Sequence, residues 1–554
     1  MSTATAALDN LDKSAWSTVD AKARLALLLQ IRDNLYERME DLAAAEAKLK
    51  TERLNGNTTL FTADACKITT AVPMANNING AIDLYTALAA SKPFIPAAGA
   101  PKIVTNGKAT TQDGKQEALW DVPVCPNTWK ETLFYATRKD KLRCIGEPKQ
   151  IYPQSKQGSV VAILGAGNYS SAVEIIKALF FDNHVAVHKP HPINEKADQI
   201  WARILAPLVA AKALAFCTAD QGPTLTKDER VEKIYFTGGV ETAKAILKGL
   251  PTSKSLVCEA GGVNPVLVVP AVWTTSQIQH HAQQIVTAAR GNGGHVCARP
   301  QVVVTSKAWP QRQEFMDALH KAAKEEVFAQ GQYYPTAAKT MKEFQNKYPD
   351  TTPIQPENGV HGTMAEFLLL PDEKPDGYVT QHEAFTQVLA EVGLETENDA
   401  ADFFAKAVPY VNQQVTGSLC VGILIPDATR KTHADAYEQA VTDLEYGSIG
   451  TNLLPIHIFF SQYTVWGVKE QDYFGKKELA SGNGNFGNVF GFQNVQKTII
   501  EDAFVSPLQL KFLNKKAISS TIAAMAQYAV MPTWYNLFRF FYYAVPGMLK
   551  GKDW

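Results

Sequence analysis

The sequence predicts an α/β protein with a doubly wound parallel sheet, and the stretch from 157 to 190 is the first observation behind this prediction. It passes from a buried apolar run through a glycine turn and an apolar helix pattern into a second apolar run. A strand, a turn, a helix and a strand within about thirty residues are typical of a βαβ unit. The predicted elements are strand 159–164, turn 165–168, helix 171–181 and strand 184–189.

The second observation is that the alternation of helix and strand patterns continues along the chain. Strands that alternate with helices of this length favour a parallel sheet with helices on both faces. A further α/β region begins with the apolar run 265–269. The additional predicted elements are helix 197–213, strand 233–236, helix 240–250, strand 255–258, helix 275–290 and strand 301–305.

The N-terminal part predicts one long amphipathic helix over about 20–50. Apolar residues recur at steps of three and four, which places them on one helix face. Thr18 or Asp20 is positioned to cap its start. We assign this helix to packing and give it no chemistry. The residues of its apolar face are Leu28, Ile31, Leu35, Met39 and Leu42.

Composition and charge restrict the class of protein. The chain has 554 residues, too many for one compact core, so we expect two or more domains. Its net charge of −1 gives no electrostatic reason to bind nucleic acid. The seven cysteines are scattered without a CxxC pair, which predicts neither a disulfide framework nor a metal site. The N-terminus lacks the pattern of a leader segment, so we expect a cytoplasmic protein.

The C-terminal tail is unusually apolar, because Arg539 is the only charged residue from 517 to 549. Pro532 divides it into two halves, each shorter than the roughly 20 residues that a spanning helix needs. Two interpretations stay open. The tail lies at a membrane surface with its aromatic residues among the lipid headgroups, or it packs on the body of the protein or on a second subunit.

Cys297 is the strongest candidate for chemistry. It lies in the segment 291–300, Gly-Asn-Gly-Gly-His-Val-Cys-Ala-Arg-Pro, where the glycines leave the backbone open to a substrate. Upstream, Glu259 follows an apolar run in Glu-Ala-Gly-Gly, and Asn168 ends the turn Gly-Ala-Gly-Asn. A thiol, a carboxylate and an amide in this order indicate covalent catalysis by a cysteine.

In these motifs the chain resembles the aldehyde dehydrogenase superfamily over roughly 150–465. The resemblance implies that Cys297 attacks an aldehyde, that the Asn168 amide and the Cys297 N–H stabilise the oxyanion, and that Glu259 activates water. It implies oxidation to the carboxylic acid with NADP or NAD. We favour NADP, because Pro192 stands where NAD-dependent members often carry glutamate, while His188 or His191 could assist. It further implies a homo-dimer or tetramer and an aldehyde substrate, long-chain aldehydes included. The cofactor-binding residues implied are Lys189, Gly238, Gly239, Glu383, Phe385 and Lys177.

The resemblance also implies a division of the chain. We expect a Rossmann-like NAD(P)-binding domain over 1–264 with an oligomerisation insertion near 125–157, and an α/β catalytic domain over 265–465. A small oligomerisation or closing segment over 466–505 and an apolar helical extension over 506–554 follow.

Other roles and functions remain open from the sequence. Asn168 could be a simple turn residue, Glu259 a helix cap and Lys189 a solvated charge, while His295 could pair with Cys297. A coenzyme A-acylating dehydrogenase or acyl reductase is one alternative function, although such members usually lack the base at the Glu259 position. A non-catalytic scaffold with the same fold is another.

Overall fold

The computed structural model describes residues 2–54, 61–111, 114–135, 137–170, 172–325, 330–356, 365–469, 480–506 and 518–550. The strands, numbered in chain order, are β1 (Lys102–Thr110), β2 (Gln116–Cys125), β3 (Lys139–Ile145), β4 (Val160–Leu164), β5 (Val185–Lys189), β6 (Leu214–Phe216), β7 (Lys233–Thr237), β8 (Ser255–Glu259), β9 (Asn264–Val268), β10 (Pro300–Ser306), β11 (Leu368–Leu370), β12 (Val388–Leu394), β13 (Cys420–Leu424), β14 (Ser448–Thr451), β15 (Val465–Gly467), β16 (Asn485–Gly487) and β17 (Val495–Glu501).

The α-helices are numbered in the same way. They are α1 (Ala4–Asp9), α2 (Lys13–Thr18), α3 (Ala21–Arg53), α4 (Ala63–Ala89), α5 (Trp129–Phe134), α6 (Glu174–Ile176), α7 (Glu195–Ile204), α8 (Ala206–Ala210), α9 (Gly222–Lys227), α10 (Val240–Lys248), α11 (Thr275–Arg290), α12 (Arg312–Glu325), α13 (Ala337–Lys347), α14 (Tyr378–Gln381), α15 (Ala400–Gln414), α16 (Asp427–Thr432), α17 (Ala434–Asp443), α18 (Ile456–Phe459), α19 (Ile518–Val530) and α20 (Trp534–Lys550).

Two large sheets organise the fold, and the predicted α/β class is confirmed. The first has the order β6-β5-β4-β7-β8, and all its strands are parallel. The second has the order β1-β2-β3-β17-β14-β13-β9-β10-β12-β11. Its half from β17 to β11 is parallel, whereas β1, β2 and β3 are antiparallel and join it through β17. The second sheet therefore combines segments more than 350 residues apart in the chain.

The predicted elements of the first sheet are confirmed, with two differences. The helix predicted over 171–181 begins at Glu174 and becomes a π-helix over Lys177–Phe181. The helix predicted over 197–213 is two helices, α7 and α8, because Pro207 in the first turn of α8 has no backbone N–H to continue the ladder. The residues after α8 then form β6, a strand that was not predicted.

The predicted N-terminal helix is α3, and Asp20 caps it by accepting a hydrogen bond from the Ala23 N–H at 2.8 Å. The predicted face is buried: Leu28, Ile31 and Leu35 are 0% exposed. Helices α3 and α4 pack together, and their apolar faces join the core on one side of the first sheet. Helix α3 is thus a packing element, as predicted.

Helices α19 and α20 form a hairpin that packs on the body. The Asn79 side chain on α4 donates to the Ala529 carbonyl at 2.7 Å, and the Lys130 ammonium donates to the Pro532 carbonyl at 2.9 Å. Helix α19 packs on α4, and α20 packs on α19 through Phe540, Ala544 and Ala524. Of the two interpretations of the tail, these contacts support packing on the body.

The opposite face of α20 carries an exposed aromatic stripe. Its members share helical spacing, and Trp129 stacks against Trp534 with ring centroids 5.0 Å apart. Among the described residues, no helix combines the length and the apolar character that crossing a bilayer requires. The residues of the aromatic stripe, with their exposed fractions, are Trp534 (55%), Tyr535 (72%), Phe538 (67%), Tyr542 (74%) and Val545 (39%).

Candidate active site

One edge of the first sheet gathers most of the predicted residues. Strands β5, β4, β7 and β8 are parallel neighbours, so their carboxyl ends meet at the same edge. Lys189 ends β5 and Glu259 ends β8, while Asn168 and Gly238 follow β4 and β7. In sheets of this kind ligands bind at the carboxyl edge.

Cys297 reaches this edge from the second sheet. It follows α11 and a short turn in which Asn292 and Gly293 have left-handed backbone angles. A Cβ on Gly293 would lie 2.1 Å from the Gly331 carbonyl oxygen, so this turn requires glycine. The Asn264 amide donates to the Cys297 carbonyl at 2.7 Å and thereby fixes the backbone of the half-buried cysteine.

The buried Asn168 side chain touches the loop that carries Cys297. Its amide nitrogen donates to the His295 carbonyl at 3.0 Å. An amide has two N–H groups, so this bond orients the second one without consuming it. The Asn168 backbone carbonyl accepts from the Asn292 amide at 2.9 Å and from the Tyr333 hydroxyl at 3.2 Å. The two loops are therefore held against each other.

Glu259 is a buried carboxylate, and its Oε1 atom has no hydrogen-bond partner among the described residues. Burial and the nearby Glu174 charge raise the pKa of Glu259 well above 4.5, and Lys177 opposes them. A buried acid without a partner is costly unless it serves a purpose. The geometry suits a base that faces the reaction site rather than a helix cap.

The segment 481–487 covers Glu259. The N–H groups of Asn483 and Gly484 both donate to the Cys258 carbonyl at 2.8 Å, and β16 follows at once. A Cβ on Gly484 would lie 2.9 Å from Glu259 Oε1. The loop is thus held against the carboxylate, and glycine is the residue that leaves room for it.

The surroundings of Cys297 favour its protonated thiol form. Burial raises its pKa to about 12, and the carboxylates of Glu259 and Glu383 add to this, while the N–H groups of Ala298 and Cys297 lower it. The thiolate is the nucleophile, so the thiol needs a base close to it. Glu259 and Glu383 are the acidic groups whose charges act on it.

Glu383 and Phe385 also reach the Cys297 region. A Cβ on Gly261 would lie 1.8 Å from Glu383 Oε1, so the carboxylate rests on the Glu-Ala-Gly-Gly turn. Burial raises the pKa of Glu383 to about 7, against the effects of the Gly262 N–H and Arg299. The backbone of Phe385 is in the left-handed region, with a φ of +43°.

His295 has a different role from the open Cys–His pairing. Its Nδ1–H donates to the Phe385 carbonyl at 2.8 Å, and its Nε2 accepts from the Tyr334 N–H at 3.4 Å. Burial lowers the pKa of His295 to about 3, so the ring is neutral. Both ring nitrogens are occupied by the backbone, which leaves none for the thiol.

The helix α10 begins at an open position. Gly239 is its N-cap, and no described atom lies within 4 Å of the place that a Cβ would take. The Gly238 N–H donates to the Glu259 carbonyl at 3.0 Å and links β7 to β8. The N-terminus of a helix of this length attracts anions such as a pyrophosphate.

Lys189 forms no ion pair with any described residue, and burial lowers its pKa. His191 does not supply the positive charge expected beside it, because burial, Lys189 and Arg53 lower its pKa to about 4. The buried His188 ring faces Asp198 at 3.3 Å. The preference for NADP then rests on Pro192 and stays a prediction.

Lys177 lies apart from Lys189 and the α10 glycines. Its ammonium pairs with Asp182 at 2.6 Å. It lines a cavity of about 330 Å³ together with Lys156, His184 and Lys233, which stand at the amino ends of β4, β5 and β7. Lys177 therefore lies near the amino ends of these strands, although its charge still lowers the pKa of Glu259. Its contact with a cofactor stays a prediction.

Comparison with known proteins agrees with this arrangement. Residues 116–338, which include Asn168, Glu259 and Cys297, match the model of the aldehyde dehydrogenase family. Over this segment the chain is similar to aldehyde dehydrogenases. An 81-residue segment is 37% identical to aldehyde dehydrogenase LUC3 from Fusarium sp, and it covers 14% of this chain and 17% of LUC3.

Solved aldehyde dehydrogenases share the fold over nearly the whole chain. The NADP-dependent glyceraldehyde-3-phosphate dehydrogenase of Bacillus halodurans, complexed with NADP, has a TM-score of 0.56 at 15% identity, with 90% of each chain covered. Escherichia coli lactaldehyde dehydrogenase has a TM-score of 0.59 at 15% identity, with 88% of each chain covered. At such low identity the likeness shows the fold.

Several residues of this candidate site escaped prediction. Asn292, Tyr333 and Asn264 hold its loops through side-chain hydrogen bonds to backbone carbonyls across the fold. A sequence pattern does not reveal contacts of this kind. Glu46 and Lys50, which contact the same loops, did leave a signal: they continue the buried face of α3 beyond Leu42.

Proposed function

We propose that this chain oxidises an aldehyde to the carboxylic acid through a thioester on Cys297, with NAD(P)+ as oxidant. The observation that supports the proposal is that the buried Asn168 amide donates to the loop of the half-buried Cys297, while the charge of the buried Glu259 acts on the Cys297 thiol. Three groups of these kinds are what acyl transfer by a cysteine needs.

Cys297, Asn168 and the two carboxylates each have an assigned role in the reaction. Glu259 or Glu383 takes the thiol proton and passes it to solvent, which restores the carboxylate, and Cys297 Sγ adds to the aldehyde carbon. The second N–H of the Asn168 amide then stabilises the negative oxygen, an interaction worth typically about 3 kcal/mol of barrier. After oxidation, Glu259 removes a proton from water, which attacks the thioester and releases the acid.

The residues around the α10 N-terminus fit a dinucleotide. Gly239 leaves the helix N-terminus open, and Lys189 is an unpaired cation at the end of a neighbouring strand. Bound NAD(P)+ supplies the hydride acceptor. We propose that Gly238, Gly239, Lys189, Glu383 and Phe385 line its site, and that either NAD or NADP is accepted.

The test is a substrate panel with both cofactors. Purified protein with short-chain, semialdehyde and long-chain aldehydes should raise the absorbance at 340 nm, and the Cys297→Ser variant should not. A rate that depends on added coenzyme A would identify the coenzyme A-acylating alternative. Absence of reduction with every aldehyde, together with no thioester on Cys297 by mass spectrometry, would leave the scaffold alternative.

We propose in addition that the aromatic stripe of α20 rests on a membrane surface. Trp and Tyr combine an apolar ring with a polar tip, which suits the headgroup region, and Arg539 and Lys130 beside the stripe favour anionic lipid. In vesicle flotation the chain should bind phosphatidylserine vesicles. A variant with Trp534, Tyr535, Phe538 and Tyr542 changed to Ser should not bind, whereas Val272→Ser, at a 93% exposed site elsewhere, should bind normally.

The four-part division of the chain and a homo-dimer or tetramer also remain proposals. The three-stranded arm β1-β2-β3 supports the second, because β1 is an edge strand and Ile103 on it is 59% exposed. Light scattering on a size-exclusion column measures the oligomeric state directly. A monomer at all concentrations would exclude this proposal.

A further inference from the structure

A buried ion pair on helix α3 reaches the active-site loops. Glu46 and Lys50, one helical turn apart, are each 2% exposed, and the Lys50 ammonium pairs with the Glu46 carboxylate. Burial lowers the pKa of Lys50, but the Glu46 charge beside it outweighs this effect, so Lys50 stays charged. Burying two charges costs free energy that packing alone would not require, so a specific reason is needed.

The partners of the pair give that reason. The Lys50 ammonium donates to Asn292 Oδ1 at 2.8 Å, on the loop that leads to Cys297. The second Glu46 oxygen accepts from the Ser170 hydroxyl at 3.1 Å, two residues after Asn168. One ion pair therefore contacts both the loop that leads to Cys297 and the loop that carries Asn168.

The Lys50 contact also fixes the orientation of the Asn292 amide. Because a cation requires the oxygen of that amide, its NH2 group must point the other way. There it donates to the Asn168 carbonyl at 2.9 Å and to the His295 carbonyl at 3.3 Å. The His295 carbonyl is the same atom that orients the Asn168 side chain.

The surroundings hold the lysine in this place. Its ammonium lies 4.9 Å from the centres of the Phe61 and Tyr333 rings, which form a cation–π box around it. The Thr69 hydroxyl donates to the Glu46 carboxylate at 2.7 Å. The pair thus has few other positions to adopt.

We propose that the Glu46–Lys50 pair is a positioning device that sets the Asn168 amide against the Cys297 loop. The proposal rests on the proposed function, since it concerns the geometry of the oxyanion donor. Neither residue touches the substrate. Loss of the pair should let the two loops shift, and a displacement of about 1 Å at such a site can cost about 100-fold in rate.

The decisive variant is Lys50→Met, which keeps the length of the side chain and removes its charge. Single-turnover reduction of NAD(P)+ should slow by about 10- to 100-fold, with little change in KM or in cofactor Kd. The matched control is Lys67→Met. Lys67 is 3% exposed and pairs with Glu40 and Asp64, away from both loops. The control should lower Tm to a similar extent and retain the single-turnover rate.

A double-mutant cycle tests the route of the effect. With Asn168→Ala already present, Lys50→Met should cost far less than it does alone, because the donor it positions is gone. Equal losses in the Lys50 and Lys67 variants, or full additivity with Asn168→Ala, would overturn the proposal.

Hydrogen exchange gives a readout that does not need activity. Amides in 165–170 and 291–297 should exchange faster in Lys50→Met than in Lys67→Met. Ser170→Ala, which deletes the hydrogen bond to Glu46 and the one accepted from the Trp201 indole N–H, serves if Lys50→Met does not fold, and it should affect 165–170. If the wild type reduces no cofactor, the proposed function fails, while unchanged exchange in the variants separately sinks the positioning role.

Discussion

At the residue scale, the proposed reaction depends on the protonation of Glu259. Its raised pKa means that the carboxyl group is protonated at acid pH and must lose its proton to act as a base. The same burial keeps the Cys297 thiol protonated. In the proposed reaction, both Glu259 and Cys297 must therefore lose a proton before they can act.

We predict a rising pH profile for thioester hydrolysis. Because the pKa of Glu259 lies well above 4.5, the rate should increase with pH over a limb well above that value. In Glu259→Gln the limb should disappear, and a burst of about one reduced cofactor per site should precede a slow steady state. Stopped-flow absorbance at 340 nm across pH measures both.

Glu174→Gln is the control for this prediction. The Glu174 charge raises the pKa of Glu259, so its removal should move the limb to lower pH. A limb that stays in place or moves to higher pH would contradict the electrostatic explanation.

The residues proposed for the chemistry could be predicted from the sequence, whereas the residues that hold them in place by hydrogen bonds could not. Cys297, Glu259 and Asn168 each stand out by residue type against glycine or apolar neighbours. Asn292 and Tyr333 act by hydrogen bonds to carbonyls 124 and 165 residues away in the chain, and no local pattern records such contacts.

At the element scale, the fold does not require the glycine at the start of α10, which indicates a role in binding. Gly239 has a φ of −71°, an angle that any residue adopts, and a Cβ there meets open space. The reason for glycine is therefore absent from the folded chain itself. A ligand close to the backbone would supply it.

We predict that Gly239→Ala preserves the fold and weakens the cofactor. Tm should be unchanged, while the Kd for NADP and NAD should rise about tenfold, because the added methyl group stands over the helix N-terminus. Fluorescence titration gives the Kd. Gly249→Ala at the other end of α10, where only ordinary contacts of 3.7 Å arise, should leave the Kd unaltered.

Helices and parallel strands were predictable because each repeats a local pattern along the chain. The splitting of α7 from α8 followed from Pro207, a signal present in the sequence but outweighed by the apolar period around it. The arm β1-β2-β3 was not predicted as strands, because its pairing with β17 depends on residues far away.

At the scale of the whole molecule, a buried arginine ties the N-terminal helices to the first sheet. The Arg24 guanidinium donates to the Trp16 carbonyl at 2.8 Å and to the Leu179 carbonyl at 3.2 Å. It also lies over the Trp16 ring at 4.3 Å. These contacts join the N-terminal helices α2 and α3 to the segment around Leu179, 155 residues further along the chain.

We predict that Arg24→Met destabilises the protein by roughly 2 to 4 kcal/mol, because buried carbonyls lose their donor. Thermal scans should show a lower Tm. Arg230→Met removes a partly exposed arginine with ion pairs to Asp228 and Asp9, and it should cost less than about 1 kcal/mol. Equal losses in both variants would contradict this account.

Helix α3 is 33 residues long, which makes it a rod of about 50 Å. Arg24 anchors its first turn to the helix layer of the first sheet, and Lys50 meets the Cys297 loop in its last turns. The C-terminal end of α3 therefore supplies a contact to the loop that leads to Cys297. Shortening the chain by its first 54 residues for expression would remove that contact, although every residue of the three chemical motifs would remain.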